Sequence, residues 1–232
     1  MSGLKLLTHV IQYDPPPIQY LTIDETFKVI IDANSIWSNQ MGIPGIDDLY
    51  PWTAFEASSG VVVANVSIAG QQWEHMASNI SDVVSAYDGT KTNVLMSAET
   101  RNSVMNGKTF EQTLVEIGDY YNAILTALPD IIPVYMEALP TEGLASAADE
   151  NATILAVDHY VRDHLPEFGI KKYIKNRDIS DFSGDGASRQ GFMTSPTTCL
   201  EGATAGPYVH PTGWPRELLA ARMVRDVQRI PA

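Results

Sequence analysis

The sequence predicts an α/β protein, a three-layer α/β/α sandwich with a mainly parallel central sheet. Strand-like, β-branched runs alternate along the chain with segments whose apolar residues recur at helical spacing. Because helical segments separate the strands, the strands are expected to pair in parallel, with helices covering both faces of the sheet. Polar residues interrupt the apolar pattern at 32–35, 69–71 and 99–102, where three of the strands end. In parallel sheets of this kind, ligands bind at the carboxyl ends of the strands.

Five segments read as strands. The first contains Val29, Ile30 and Ile31 in a row, and the second, GVVVANVSI, is rich in β-branched residues. The predicted strands span residues 28–31, 60–68, 93–98, 131–139 and 172–179.

The helical segments differ in the strength of their signals. The clearest is 109–128, where Thr109 and Gln112 predict a capping box and Pro129 ends the pattern. Its predicted apolar face consists of Phe110, Leu114, Ile117, Tyr121, Leu125 and Leu128. A long polar loop at residues 180–208 precedes the last helix. The predicted helices span residues 51–58, 73–84, 109–128 and 147–165, and a final helix carries Leu219, Met223, Val227 and Ile230.

The domain organisation predicted is an N-terminal extended arm at residues 1–25 and one domain at residues 26–232. Pro15, Pro16 and Pro17 enforce an extended backbone within the arm. An arm of this kind fits docking onto a neighbouring subunit, which would give a homo-oligomer or a larger assembly.

Composition argues against several classes of partner. The formal net charge is -13 and no basic cluster offsets it, which disfavours nucleic acid and anionic membrane surfaces as partners. No apolar run approaches the roughly 20 residues of a membrane helix, so no membrane insertion is expected. The N-terminal residues lack the pattern of a signal peptide, so synthesis in a cytoplasm is expected.

Cysteine and histidine usage gives no sign of a metal site. Cys199 is the single cysteine, which excludes an internal disulfide and a cysteine metal cluster. His159 and Asp163 have the i, i+4 spacing of helix ligands, but a solvated helix face is the favoured interpretation. We therefore expect neither a metal nor an organic cofactor.

Four residues with useful chemistry fall at the predicted carboxyl edge of the sheet. Ser35, Gly70 and Asn102 follow the first three strands in turn, and His210 precedes the last helix. A serine hydroxyl becomes an effective nucleophile when an imidazole takes its proton. The backbone N–H groups of Ser35 and Gly70 and the side-chain amide of Asn102 suit stabilisation of the oxyanion of acyl transfer. The set therefore indicates acyl transfer.

Each of these residues also has a purely structural interpretation. Ser35 fits the N-cap of a following helix, and Asn102 fits a turn. Gly70 fits a turn at a strand end, and His210 alone fits a surface histidine. Their order at successive strand ends favours the catalytic interpretation.

The order and spacing of these motifs resemble those of the SGNH hydrolases, also called the GDSL esterase/lipase family. Ala33-Asn34-Ser35 stands at the family's Gly-Asp-Ser block, and NVSIAGQQW places Gly70 at its second block. ETRNS places Asn102 at the third block, and PYVHPTG places His210 at the last. The resemblance runs from about residue 28 to residue 230. It implies an SGNH or flavodoxin-like fold, with Ser35 as nucleophile, His210 as base and an oxyanion hole of Ser35, Gly70 and Asn102.

The sequence departs from the family pattern at three blocks. Ala33-Asn34 replaces Gly-Asp, and the third block carries Glu99 and Arg101, which would bring charge towards the site. Pro207 stands three residues before His210, where the family has the acid that orients the imidazole. Glu201 is close in sequence and is a possible substitute acid; a Ser–His dyad oriented by a backbone carbonyl is the alternative.

The function expected from these observations is hydrolysis of a carboxylic ester, with O-acetyl groups on a carbohydrate as the first candidate substrate. The alternative is a catalytically weak or inactive SGNH-like structural or binding component of a virion or surface assembly, which the missing acid and the arm favour. Phosphate or nucleotide binding ranks last because no glycine-rich loop is present. The rings of Trp52, Trp73 and Trp214 fit either the core or a substrate groove.

Overall fold

The computed structural model has a parallel β-sheet at its centre. The strands are β1 (Phe27–Ala33), β2 (Val62–Asn65), β3 (Thr92–Ala98), β4 (Ile132–Met136) and β5 (Lys172–Ile174). Their order across the sheet is β2-β1-β3-β4-β5, and every neighbouring pair is parallel. The predicted fold class, a parallel sheet in an α/β/α sandwich, is confirmed.

The structure describes part of the chain: residues 26–34, 37, 61–139, 147–176, 225–227 and 229–230, the side chains of residues 147 and 148 excepted. Several predicted segments lie outside these residues. They are the N-terminal arm at residues 1–25, the helix at residues 51–58, the polar loop at residues 180–208 and most of the final helix.

The predicted strands are all found, with different ends. The strand predicted over residues 60–68 ends at Asn65, but its pairing with β1 continues in the loop. The Val66 N–H donates to the Ile31 carbonyl at 2.8 Å, and the Ile68 N–H donates to the Ala33 carbonyl at 3.1 Å. The loop after β2 therefore stays beside the end of β1.

Five helices connect or cover the described strands. They are α1 (Trp73–Ser78), α2 (Ser81–Ala86), α3 (Arg101–Met105), α4 (Phe110–Ala127) and α5 (Ala147–Asp163), and a 3₁₀ turn (Leu165–Phe168) follows α5. The short helix α3 was not predicted from the sequence. No helix within the described residues is long and apolar enough to cross a lipid bilayer.

The single helix predicted over residues 73–84 is wrong, because the chain breaks there into α1 and α2. Asn79 ends α1 with φ −117° and ψ 29°, outside the helical region, and its N–H bonds to the Met76 carbonyl. The Ser78 hydroxyl also donates back to the Glu74 carbonyl at 2.9 Å. Ser and Asn side chains compete with the helical backbone for hydrogen bonds, which explains a break that apolar spacing alone does not reveal.

Helix α4 begins at the predicted capping box. The Thr109 hydroxyl accepts from the Gln112 N–H at 3.3 Å, while the Gln112 side chain accepts from the Thr109 N–H at 2.9 Å. The helix buries Ile117 on the predicted apolar face. It also buries Tyr120, which the predicted apolar face did not include. A buried tyrosine needs a partner for its hydroxyl group, and this one lies next to the candidate site.

The two faces of β1 pack against different layers. Val29 and Ile31 belong to the core that includes Val227 and Ile230, from the end of the predicted final helix. Ile30 belongs to the opposite core, which is built mainly by side chains of α1, α4 and α5. Because successive side chains of a strand alternate between faces, Asp32 lies on the same side of the sheet as Ile30, towards α4.

Trp73, for which the sequence allowed a place in the core or in a groove, is fully buried in the second core. Its ring lies 5.4 Å from that of Tyr120 and 5.9 Å from that of Tyr135, measured between centroids. Trp52 and Trp214 lie outside the described residues.

Candidate active site

The candidate site lies where β1 and β3 end side by side. Ala33 and Ala98 are direct partners in the sheet, and the Asn34 N–H donates to the Ala98 carbonyl at 3.2 Å. The Trp37 N–H donates to the Asn34 carbonyl at 3.0 Å, so the chain turns at once after the strand. Ser35 falls within this stretch of sequence but is itself outside the described residues, as are Glu201 and His210.

Gly70 occupies a turn in the loop after β2. The turn is closed by the Gln71 N–H, which donates to the Ile68 carbonyl at 3.4 Å. The φ angle of Gly70 is 77°, in the left-handed region that favours glycine. A methyl group added at this position would meet no described atom within 4 Å, so the conformation and not crowding accounts for the glycine. Gly70 is exposed, which leaves its backbone accessible.

Asn102 lies in the first turn of α3, immediately after β3. Its side-chain amide donates to the Gln71 carbonyl at 3.0 Å. The structure therefore places two of the predicted oxyanion residues close together, because the Asn102 amide is bonded to Gln71 and Gln71 directly follows Gly70. A side-chain amide has two N–H groups, and within the described residues the second one has no acceptor. That second donor suits a ligand atom at the rim.

Glu99 does not bring its charge to the rim as predicted, because its side chain is fully buried. Its Oε1 atom accepts from the Asn102 N–H and its Oε2 atom from the Ser103 hydroxyl, each at 2.8 Å. Burial raises the pKa of Glu99 well above its ordinary range, and these hydrogen bonds and the charge of Arg101 offset part of the rise. Arg101, only 3% exposed, is also inside the protein. The carboxyl group of Glu99 thus stabilises the first turn of α3, which carries Asn102.

A second buried chain of hydrogen bonds holds the start of α3. The Thr100 hydroxyl accepts from the Trp73 indole N–H at 3.3 Å and shares a hydrogen bond with the Tyr135 hydroxyl. The Tyr135 hydroxyl donates to Asp158 Oδ1 at 2.5 Å, and Asp158 Oδ2 accepts from the Ala138 N–H at 3.1 Å. Helix α5 is therefore linked through β4 to the residue that precedes α3.

Asp32, Gln71 and Tyr120 form a buried network that was not predicted from the sequence. The Gln71 side-chain amide donates to Asp32 Oδ1 at 2.9 Å and to the Ala33 carbonyl at 2.7 Å. The Tyr120 hydroxyl donates to Asp32 Oδ2 at 2.8 Å and lies 3.2 Å from the Ser97 hydroxyl. Ser97 is the partner of Asp32 in the sheet, so both side chains meet Tyr120 on one face.

Burial dominates the acid–base properties of this network. It raises the pKa of Asp32 from an ordinary 3.8 to about 6, against the opposing effect of the hydrogen bonds from Gln71 and Tyr120. The negative charge of Asp82 adds to the rise. Burial also raises the pKa of Tyr120 well above its ordinary range, so its hydroxyl group stays a donor at neutral pH.

One signal in the sequence points to this network. An aspartate at the end of an otherwise apolar strand indicates a buried carboxyl group that needs donors. The sequence does not identify those donors, because Gln71 and Tyr120 are 39 and 88 residues away along the chain.

The part of the chain described here contains no group of three or more His, Cys, Asp or Glu residues arranged to hold a metal ion.

The raised pKa of Asp32 predicts a specific pH dependence of stability. The folded protein binds the proton of Asp32 more tightly than the unfolded chain does. The resulting stabilisation is therefore complete below pH 3.8 and is lost as the pH rises through about 6. The gap between the two pKa values corresponds to roughly 3 kcal/mol. Asp32→Asn should abolish this contribution, which urea unfolding of both proteins between pH 4 and pH 7.5 would measure.

The matched control is Asp119→Asn, the same change at an exposed position of α4. It should keep the pH dependence of the wild type. An Asp32→Asn protein whose free energy of unfolding also follows the wild-type pH curve would contradict the assignment of Asp32 as the buried titrating group.

Solved structures of other proteins share this fold. A lipolytic protein of the G-D-S-L family from Veillonella parvula is 17% identical, with 86% of this chain and 97% of that chain covered and a TM-score of 0.62. A GDSL-like lipase from Bacteroides thetaiotaomicron is 14% identical, with coverage of 88% and 89% and a TM-score of 0.60. A mutant of an acetyl-xylooligosaccharide esterase from Geobacillus is 14% identical, with coverage of 86% and 93% and a TM-score of 0.56.

No family model matches the sequence, and neither does any curated protein. At these identities the likeness establishes the fold. The all-parallel sheet and the coverage of 97%, 89% and 93% of the three related chains agree with the fold implied by the motifs. The chain therefore has the fold of the GDSL, or SGNH, hydrolases, as a divergent example of it.

Proposed function

We propose that the protein is a serine hydrolase of SGNH type that cleaves a carboxylic ester, with Ser35 as nucleophile and His210 as general base. One observation carries the proposal most directly: the Asn102 amide lies 3.0 Å from the carbonyl next to Gly70, beside the end of the strand that leads to Ser35. The oxyanion hole of an ester hydrolase must lie beside its nucleophile, which is Ser35 in this proposal. The solved structures that share the fold include lipases and esterases, which supports the same reaction class.

The proposed reaction proceeds in two steps. His210 takes the proton of the Ser35 hydroxyl, and the oxygen attacks the carbonyl carbon of the ester. The N–H groups of Ser35 and Gly70 and the second N–H of the Asn102 amide stabilise the negative oxygen of the tetrahedral intermediate. His210 then protonates the leaving alcohol, which departs. In the second step His210 takes a proton from water, the water oxygen attacks the acyl carbon, and the proton is returned to Ser35 as the carboxylic acid leaves.

The substrate proposed is an O-acetyl group on a carbohydrate. The support for this choice is the structural neighbour described as an acetyl-xylooligosaccharide esterase. The exposed Gly70 turn at the edge of the sheet fits an ester that reaches the site from solvent.

An inactive or weakly active structural component is the second candidate, and Pro207 is the observation that favours it. Proline cannot supply the carboxylate that orients the imidazole and stabilises its charged form. On this alternative the SGNH-like domain acts as a binding or structural part of a virion or surface assembly, and the arm at residues 1–25 joins it to a neighbouring subunit.

The first test is Ser35→Ala. Hydrolysis of p-nitrophenyl acetate should fall to the background rate, because the acyl acceptor is lost while the protein stays folded by circular dichroism. Ser85→Ala, at an exposed position of α2, is the control and should retain the wild-type rate. A wild-type protein with no activity would favour the structural alternative, and an active Ser35→Ala protein would remove Ser35 from the mechanism.

The second test concerns the oxyanion hole. Asn102→Ala removes the side-chain amide but leaves the backbone N–H on Glu99, so α3 should remain folded. We expect kcat to fall by roughly 10²–10³ with little change in KM, the usual effect of losing one oxyanion donor. Asn79→Ala, at the exposed end of α1, is the matched control. Equal kcat values for the two variants would exclude Asn102 from the oxyanion hole.

The third test addresses the missing acid. Pro207→Asp should raise the rate of ester hydrolysis if His210 works without a carboxylate partner, because the new charge stabilises the imidazolium in the transition state. If Glu201 already serves as the acid, Glu201→Gln should instead lower the rate and Pro207→Asp should change little. Rates of both variants over pH 5–9 distinguish the two cases. If both variants hydrolyse the ester at the wild-type rate, the result would argue against His210 as the base.

A further inference from the structure

Gln71 lies where three chain segments of the candidate site meet. Its side-chain amide donates to Asp32 Oδ1 and to the Ala33 carbonyl, both at the end of β1. Its own carbonyl accepts from the Asn102 amide at 3.0 Å, and Gly70 is the preceding residue. Gln71 is only 5% exposed, so solvent does not replace these partners.

We propose that Gln71 is a positioning residue of the oxyanion hole, which holds the Gly70 backbone and the Asn102 amide in place against the end of β1. The proposal rests on the proposed function, because an oxyanion hole matters only if an ester is cleaved. Gln71 itself does not touch the substrate. It acts through its two neighbours, the Gly70 N–H and the second N–H of Asn102.

The chemistry of the amide fits this task. The end of β1 offers two acceptors, a carboxylate oxygen and a backbone carbonyl, and a glutamine amide has two N–H groups to match them. A glutamate has no donor when ionised and only one O–H donor when protonated, and an apolar side chain would leave both buried acceptors unsatisfied. The carbonyl of the same residue then orients the Asn102 amide so that one N–H is used and the other is left for a ligand.

Asp32, which accepts a hydrogen bond from Gln71, is also held in place by Tyr120. The Tyr120 hydroxyl, at 2.8 Å, fixes the second oxygen of Asp32. Tyr120 is fully buried in α4, and its ring packs against Trp73. Because close-packed interiors allow little movement, the loop that carries Gly70 is tied through Asp32 to the core of the protein.

A positioning role has a kinetic signature that a purely structural role lacks. Oxyanion donors act on the transition state, so their displacement lowers kcat while KM stays nearly constant. A displacement of about 1 Å lowers the rate by roughly 10²-fold. Loss of folded protein, by contrast, lowers the amount of active enzyme and leaves the rate per folded molecule unchanged.

The experiment compares Gln71→Glu with the wild type and with Gln112→Glu, using p-nitrophenyl acetate from pH 5 to pH 8. Gln71→Glu should lower kcat per folded molecule by roughly 10–100-fold with KM within about threefold. The decrease in kcat should become larger as the pH rises, because the new glutamate then ionises and faces the Asp32 carboxylate. Asp32 already interacts with the charge of Asp82 and the hydroxyl group of Tyr120. Gln112→Glu makes the same change in the exposed capping box of α4, where Oε1 is only an acceptor, and should keep the wild-type rate.

A second variant, Tyr120→Phe, leaves Gln71 unchanged and removes the hydroxyl group that fixes Asp32. It should lower kcat several-fold without raising KM, and it provides the test if Gln71→Glu does not fold. Wild-type kcat in folded Gln71→Glu, or in Tyr120→Phe when Gln71→Glu is unfolded, would overturn the positioning role while the proposed function stands. No hydrolysis by the wild type would overturn the proposed function and this role together.

Discussion

The buried carboxyl group of Asp32 is the interaction on which the candidate site depends. It stands at the end of β1, an interior strand of the sheet, on the face covered by α4, and both of its oxygen atoms accept hydrogen bonds from buried side chains. Burying a carboxyl group is unfavourable unless donors surround it, and the rise of its pKa to about 6 reflects the part of that cost that Gln71 and Tyr120 do not offset. Helix α4, the sheet and the loop after β2 are joined at this one group.

Two buried hydrogen-bond chains bring the loops of the site together, one on each side of β3. The Asp32 chain fixes the loop that carries Gly70, and the chain from Asp158 through Tyr135 fixes Thr100 at the start of α3. The Asn102 amide, bonded to the Gln71 carbonyl, connects the two loops. Buried polar networks of this kind favour one arrangement of the backbone, because any shift leaves a polar group without a partner. Both loops are therefore held on rigid parts of the fold, as a preorganised site requires.

The motif blocks that carry Gly70, Asn102 and Pro207 relate to the proposed chemistry in different ways. The backbone conformation of Gly70 and the position of Asn102 agree with a site that stabilises an oxyanion. The third block keeps its Asn102 although Glu99 and Arg101 depart from the family pattern, because both side chains are buried and Glu99 accepts hydrogen bonds from the first turn of α3. In the proposed mechanism, Pro207 in place of an acid would affect the orientation of the His210 imidazole, and so the rate and not the fold.

The alternation of strands and helices, the parallel sheet and the α4 capping box follow from local pattern, since β-branched runs, helical spacing and capping residues act over a few residues. The placement of Gly70 and Asn102 at the same edge of the sheet also follows, because parallel strands present their carboxyl ends at one edge. The break between α1 and α2 involves a side-chain hydrogen bond, from Ser78 to the Glu74 carbonyl, that periodicity does not register. Only the tertiary structure decided that Glu99 turns inwards and that Gln71 and Tyr120 satisfy Asp32. Those partners lie 39 and 88 residues from Asp32, and burial, which makes the pairing necessary, exists only once the layers have packed.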